Sequence, residues 1–507
     1  MKRLFALLLA LLLLCGCSPE QAYIPTGNGL DDQGATLPAL GPEVSDQAFS
    51  LAYHPEKTLN PYSCADYTNR ALFSLIYQSL FVVDQDYQVE PQLCRSYKVS
   101  ADQKVYVFYP EAAVFADGTR LTPGDVLASL EAARVSPVYS GRLYNVTAIS
   151  LTGDGGVQVE LATAYDNFPL LLDIPILRAS QVNADFPTGT GAYCLESTAA
   201  GRWLRLRQDW WCKAKLPVSA EKIPLEDVQT PRQIRDGFEL GNIGVVCANP
   251  GADNYVDFRC DHNLWDCENG IFLYIGCRAK SNVFSNETVR RALTHAIDRS
   301  LLVQEYYRTF AKAATLPASP DSPCYNHALA ANYGFDAQLF RQALAAEGME
   351  GKSVVLLVNS DDGRRTKVAQ AIAQMLKDCS LEVTVRARSG KDYTDDLKNG
   401  RYDLHLGQTM LSPNMDLSQF YDSDGTLSYG GISDTGIYSL CRDALENDGN
   451  YTALHQAVME DAMLCPVAFL SYGVYVQPDL VSQFAPARDC VFYYSLGKKM
   501  SDILIVE

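Results

Sequence analysis

The sequence lacks the short patterns that place a nucleophile or a metal in an enzyme. There is no Gly-x-Ser-x-Gly elbow and no His-Glu-x-x-His pair, and six histidines are scattered without ligand spacing. A secreted hydrolase is therefore unsupported; with 60 acidic residues, composition alone leaves a glycosidase-like carboxylate pair open, but nothing marks one. No Cys-x-x-Cys occurs, and Cys260, Cys267 and Cys277 lack metal-ligand spacing. Basic residues are scarce. Against the 60 acidic residues stand 42 Lys and Arg, giving a formal charge of -18, which disfavours nucleic acid and anionic membrane surfaces as partners. Apolar runs of membrane length are wanting too: Phe168 to Leu177 is broken by Pro169, Asp173 and Pro175.

What is present begins with export. Lys2-Arg3 precedes an apolar run from Leu4 to Leu14, too short to span a bilayer, and then Leu14-Cys15-Gly16-Cys17. Leu-x-Gly-Cys resembles the bacterial lipobox, which implies cleavage after residue 16 and acylation of Cys17 at the outer face of the cell membrane. An unmodified secretory signal is the alternative. Loss of Lys2 and Arg3 takes the charge from -18 to -20, so lipid rather than charge would hold the protein to the membrane. Glu20 to Glu43 has no periodicity and reads as a flexible tether. Setting aside Cys15 and Cys17 leaves 13 of 15 cysteines, an odd number that cannot be fully paired within the chain. They read mostly as small buried hydrophobes.

At 507 residues the chain exceeds one core and should form two or three domains. Its best-specified stretch is Val114 to Arg134. Asp117-Gly118 is a hairpin turn dipeptide. Thr122, Pro123 and Asp125 form the start signals of a helix, with Asp125 closing a capping box. Val126, Leu127, Leu130 and Ala133 then lie on one apolar stripe.

The pattern Phe-x-Asp-Gly-x-x-Leu-Thr-x-x-Asp-Val at residues 115–126, after the alternating Val105 to Tyr109, resembles the signature of the extracellular solute-binding proteins of family 5, the peptide-binding receptors of ABC importers. Other stretches follow in the family's order. Phe49 to Tyr53 reads as a first strand, Leu59-Asn60-Pro61-Tyr62 as a turn, and Asn69 to Leu80 as a helix with Leu72, Leu75, Ile76 and Leu80 periodic. By the resemblance, Cys64, Ala65, Asp66 and Tyr67 become lining residues of a ligand cleft. Val89 to Leu93 matches a family stretch, with Cys94 where alanine is usual. Short strands are expected around Asp154-Gly155-Gly156. The Thr188 to Tyr193 loop resembles a family Gly-Thr-Gly loop; lacking a third glycine three residues on, it reads as structural rather than phosphate-binding. Phe272 to Cys277 is a buried-strand pattern, and Val289 to Arg299 resembles a family helix, His295 included as a packing or surface residue rather than a ligand. From Ser353 the rhythm is strand, helix, strand, helix, strand, ending at Tyr402 to Leu406 after a Gly-x-Tyr-Asp motif. Val467 to Val476 is expected to return to the first lobe.

The resemblance implies an α/β fold of two lobes, the periplasmic-binding-protein type of class II, cluster C, with hinge strands and an inserted subdomain. The expected segments are 1–16 signal, 17–45 tether, 46–80, 171–271 and 471–507 first lobe, 81–170 inserted subdomain, and 272–470 second lobe. It further implies a binding protein rather than an enzyme, with no cofactor and no metal, working as a monomer with ABC permease and ATPase subunits. Ligand would close the lobes through its greater affinity for the closed state. The ligand is expected to be a peptide, with a glycoside, a metal chelate or another small polar solute as the alternative; a sensory lipoprotein on the same fold would look alike. Peptide-binding relatives hold the ligand's α-amine with an aspartate in the loop after the Gly-x-Tyr-Asp strand, past a Gly-Trp pair. Here that loop holds Gln408, Thr409, Met410 and Leu411, Leu411 stands about where the aspartate would, and the Trp is missing. Asp416 or Asp66 are the substitutes, so an α-amine is not strictly demanded. The 29 tyrosines suit a cleft for varied polar solutes, though any one of them is better read as packing.

Overall fold

The computed structural model describes residues 43–44, 49–212, 215–252, 254–447 and 451–505. Cys17, the signal and nearly all of the expected tether lie outside the described residues. Only the tether's end is placed, as the two-residue strand Glu43–Val44 running antiparallel to Val481–Ser482. No described helix is long and apolar enough to cross a membrane.

The helix read from its start signals spans Pro123–Arg134. The Thr122 hydroxyl accepts the Asp125 amide at 3.3 Å, and the Asp125 carboxylate accepts the Thr122 amide at 2.9 Å. The other Asp125 oxygen accepts the Ala179 amide at 2.8 Å, so one carboxylate both caps the helix and ties it to a distant loop. Val126, Leu130 and Ala133 are fully buried, and Leu127 partly. The helix packs on an antiparallel sheet ordered Cys94–Val99, Val105–Pro110, Val157–Leu161, Val146–Leu151. Its last hairpin turns at Gly155, whose φ of +85° suits a residue without Cβ.

Two expected helices come out broken. Asn69 to Leu80 forms two single turns, Tyr67–Arg70 and Phe73–Ile76. The second turn stops where the Gly191 amide takes the Ile76 carbonyl at 2.8 Å. A Cβ on Gly189 or Gly191 would fall 2.0 or 2.4 Å from the backbone of Ile76, so the glycines of this loop serve close backbone approach. Val289 to Arg299 splits into Glu287–Ala292, a tight turn over Leu293–Ala296, and a new helix Arg299–Tyr307. Ile297 is extended, and Asp298 caps the new helix by accepting the Leu301 amide at 3.0 Å. His295 Nδ1 meets the Gly334 carbonyl at 2.7 Å.

The strand-helix alternation from Ser353 forms as read. Ser353–Asn359, Glu382–Arg388 and Leu404–Met410 are parallel, joined by helices Gly363–Asp378 and Gly390–Lys398. Val368, Ile372 and Leu376 bury one face of the longer helix. Asp403 of the Gly-x-Tyr-Asp motif accepts the Ser281 hydroxyl and the Val355 amide, each at 2.8 Å, which fixes the start of the last strand.

These strands belong to an 11-stranded sheet whose centre is two long antiparallel strands, Asn263–Cys277 and Leu464–Val476. Each runs through two hydrophobic cores. Cys267, Tyr472 and Val474 lie in the first core with the capped helix, while Phe272, Leu273, Phe469 and Leu470 lie in the second with the parallel strands. The change of core falls at a break in register between Glu268 and Phe272. There Gly270 has φ +71°, the mark of a bulge that lets a strand bend. Two lobes joined by two crossing strands follow.

The 13 described cysteines are all unpaired, most of them buried, in line with their reading as small hydrophobes.

Candidate functional site

A cavity of about 260 Å³ sits where the crossing strands pass from one core to the other. Its walls come from both sides: Cys64, Ala65 and Tyr67 from the first lobe, Met410 from the end of the last parallel strand, and Asn269 from the bulge. Apolar lining predominates, with Phe73, Val138 and Val491 contributing, and a few polar groups converge on it, the composition expected of a small-molecule site.

The polar groups form a buried charge cluster. Asp489 accepts Arg70 Nη2 at 2.8 Å and also Arg142 Nη2, while Arg142 Nη1 pairs with Asp173. Burial works against the charge of Asp489, but Arg142, Arg70 and Arg488 outweigh it and hold its pKa below the carboxylate range. Arg488 is fixed from three directions. The Tyr472 hydroxyl donates to its carbonyl at 2.6 Å, its Nη2 donates to the Leu411 carbonyl, and its guanidinium lies where a Cβ on Gly270 would be, 1.8 Å from Nη2. Tyr472 is in a crossing strand, Leu411 is in the second core, and Arg488 follows the return to the first. One residue, by its carbonyl and its guanidinium, thus touches a crossing strand, the second core and the bulge.

Of the residues singled out in the sequence, the cavity gathers Cys64, Ala65, Tyr67 and Met410. Asp66 faces away: it caps Tyr67–Arg70 through the Asn69 amide at 3.0 Å and meets His54 Nδ1 at 2.8 Å. Burial opposes its charge, but the His54 and Asn69 bonds prevail and lower its pKa. It lines a neighbouring cavity of about 350 Å³, which shares Tyr67 and Cys247 with the first but is walled only by residues 54–68 and 229–258. Leu411 is buried in the second core, and its amide bonds the Gly270 carbonyl at 2.9 Å. Asp416 accepts the amide and hydroxyl of Ser418 at 2.9 and 2.6 Å, and burial raises its pKa. Gln408 and Thr409 precede Met410 on the strand but are not in the cavity wall; Gln408 Oε1 is buried without a partner among the described residues. Sequence reading missed Asn269, Arg488 and Asp489. Asn-Gly inside a strand pattern signals a bulge, and that was a readable clue to Asn269. Arg488-Asp489 carries no local signal, because the partners of Asp489 lie 419 and 347 residues away and that of the Arg488 guanidinium 77 away.

Two cores, two crossing strands with a bulge, and a cavity at the bulge define a hinged, two-lobed solute-binding protein. The chain belongs to the bacterial extracellular solute-binding proteins of family 5, whose model for the middle region matches residues 88–429. The glutathione-binding protein GsiB of Salmonella choleraesuis is 24% identical over 383 residues, covering 71% of this chain and 72% of the relative. Two solved structures share the fold. One is the binding protein AgaA of A. tumefaciens with agropinic acid, at a TM-score of 0.64 and 20% identity over 86% of this chain and 93% of that one. The other is the oligopeptide-binding protein AppA of Bacillus subtilis with a nonapeptide, at 0.63 and 18% over 91% and 100%.

Proposed function

We propose that this protein is the receptor of an ABC importer, and that it captures a small polar solute in the cavity at the hinge and presents the closed form to a permease. The observation that carries the reading is the joint lining of that cavity by Tyr67, Asn269 and Met410, which belong to the first lobe, the hinge and the second lobe. A solute touching all three binds the closed arrangement better than an open one, and that difference in affinity is what drives closure. Peptide is the first choice of solute. A relative named for glutathione and a structure that holds a nonapeptide support that choice; a glycoside, a metal chelate or another small polar solute is the second, since one relative is named for nickel and one structure holds agropinic acid. The residues contribute binding and not catalysis, and no cofactor is assigned.

Small-angle scattering tests closure, with glutathione and short peptides as the probes and calorimetry to establish which of them bind. The radius of gyration should fall on binding; an unchanged radius with a bound solute would overturn closure. Cys17 is proposed as the lipid anchor at the outer face of the cell membrane, from the Leu14-Cys15-Gly16-Cys17 context. A Cys17→Ala chain should leave the membrane fraction or stay unprocessed, and processed protein still in that fraction would contradict the anchor.

A further inference from the structure

We propose that Arg488 and Asn269 read a carboxylate of the bound solute, so that the solute is held at the hinge by its acidic end and needs no ammonium. The inference rests on the cavity being the ligand site, and it names the chemistry that the site selects.

The donors are unspent. Arg488 gives one bond, from Nη2 to the Leu411 carbonyl, and its Nε and Nη1 are buried with no hydrogen-bond acceptor among the described residues. Its side chain is 12% exposed, and the nearest counter-charge, Asp489 Oδ2, stands 3.7 Å from Nε, beyond hydrogen-bond reach. Asn269 is 5% exposed; its Oδ1 accepts the Ile271 amide at 3.0 Å, and its Nδ2 has no acceptor among the described residues. Both residues line the cavity. One guanidinium N–H and one carboxamide N–H together match the two oxygens of a carboxylate. Buried donors without an acceptor are unfavourable, which is a reason to place that acceptor on the solute.

The charge count agrees. Among the lining residues Arg70 and Arg488 face the single carboxylate Asp489, which also holds Arg142, itself shared with Asp173. The other acid near Arg488 is Glu268, whose oxygens accept Ser319 and Tyr87 hydroxyls and whose burial favours the protonated form. An ammonium in the cavity would meet no uncommitted carboxylate, because Asp66 turns to His54 and Asp416 to Ser418. Holding the hinge explains only Nη2 of Arg488; the N–H groups of Nε and Nη1 remain for a ligand.

The test is calorimetric, with glutathione, Ala-Ala-Ala and a panel of small carboxylic acids, each as acid and as primary amide, and with N-acetyl-Ala-Ala-Ala. Binding acids should weaken about 30-fold or more on amidation, the scale of removing one partner of a buried charge pair, and N-acetylation should leave affinity within a few-fold. Arg488→Gln should bring acid affinity down to that of the amide. Asn269→Asp keeps the acceptor for the Ile271 amide, so it guards against misfolding of the first variant, and it should weaken acids but not amides. Equal affinity for acid and amide, an acid preference that survives both variants, strong loss on acetylation, or no acid bound at all would each overturn the proposal. Ala65→Trp separates this from the reading beneath it. If Ala65→Trp leaves solute binding intact, the cavity is not the ligand site; if acid and amide bind equally and Ala65→Trp abolishes both, only the carboxylate reading falls.

Discussion

The two cores are built from different materials. The second is layered aliphatic packing, Val354, Leu356 and Val358 against Val368, Ile372 and Leu376, in long elements joined in sequence order. The first contains apolar layers too, but beside the cavity it is organised by ions, with Arg70 and Arg142 converging on Asp489. Aliphatic layers tolerate small changes of shape because dispersion is spread over many contacts. A buried ion cluster tolerates little, because removing one charge strands the others. The difference assigns the lobes unequal freedom to vary, and the less tolerant material surrounds the hinge cavity.

Asp489→Asn should show the largest effect, about 3–5 kcal/mol of lost stability, since near-identical shape leaves Arg70 buried without its anion and Arg142 with Asp173 alone. Denaturant unfolding against pH sharpens it. The folded pKa of Asp489 is depressed, so its stabilisation is complete above the unfolded value of 3.8 and is lost as the pH falls below that value through the folded one. The gap between wild type and variant should therefore be constant near neutrality and close in strong acid. At the other end of the scale, Ile372→Val in the second core should cost only about 0.5–1.5 kcal/mol, with no change in its dependence on pH. Comparable losses in the two variants would erase the contrast.

The same contrast decided what could be read from sequence. The strands and helices from Ser353 to Met410 were legible because periodicity switches cleanly between two and 3.6 and neighbours in sequence are neighbours in space. The capping box at Thr122 was legible because its partners lie three residues apart. Asn69 to Leu80 carries a helical stripe, yet its carbonyl at Ile76 is claimed by Gly191, a tertiary contact that no local pattern announces. At the cavity, family likeness brought Cys64, Ala65, Tyr67 and Met410 into one wall, whereas Asp489 is defined by Arg70 and Arg142, 419 and 347 residues away.

The order of synthesis is a final consequence of how the cores are threaded. Every buried member of the second core lies between Phe272 and Leu470, so its whole complement is available once that stretch has left the ribosome. The first core counts Phe49 among its earliest members and Phe484, Val491, Phe492 and Ile503 among its last. The stretch that begins at Phe49 must wait for the stretch from Phe484 to Ile503, and the cavity floor at Arg488 does not exist until that later stretch has been made. The second core, by contrast, draws all its buried members from one unbroken stretch.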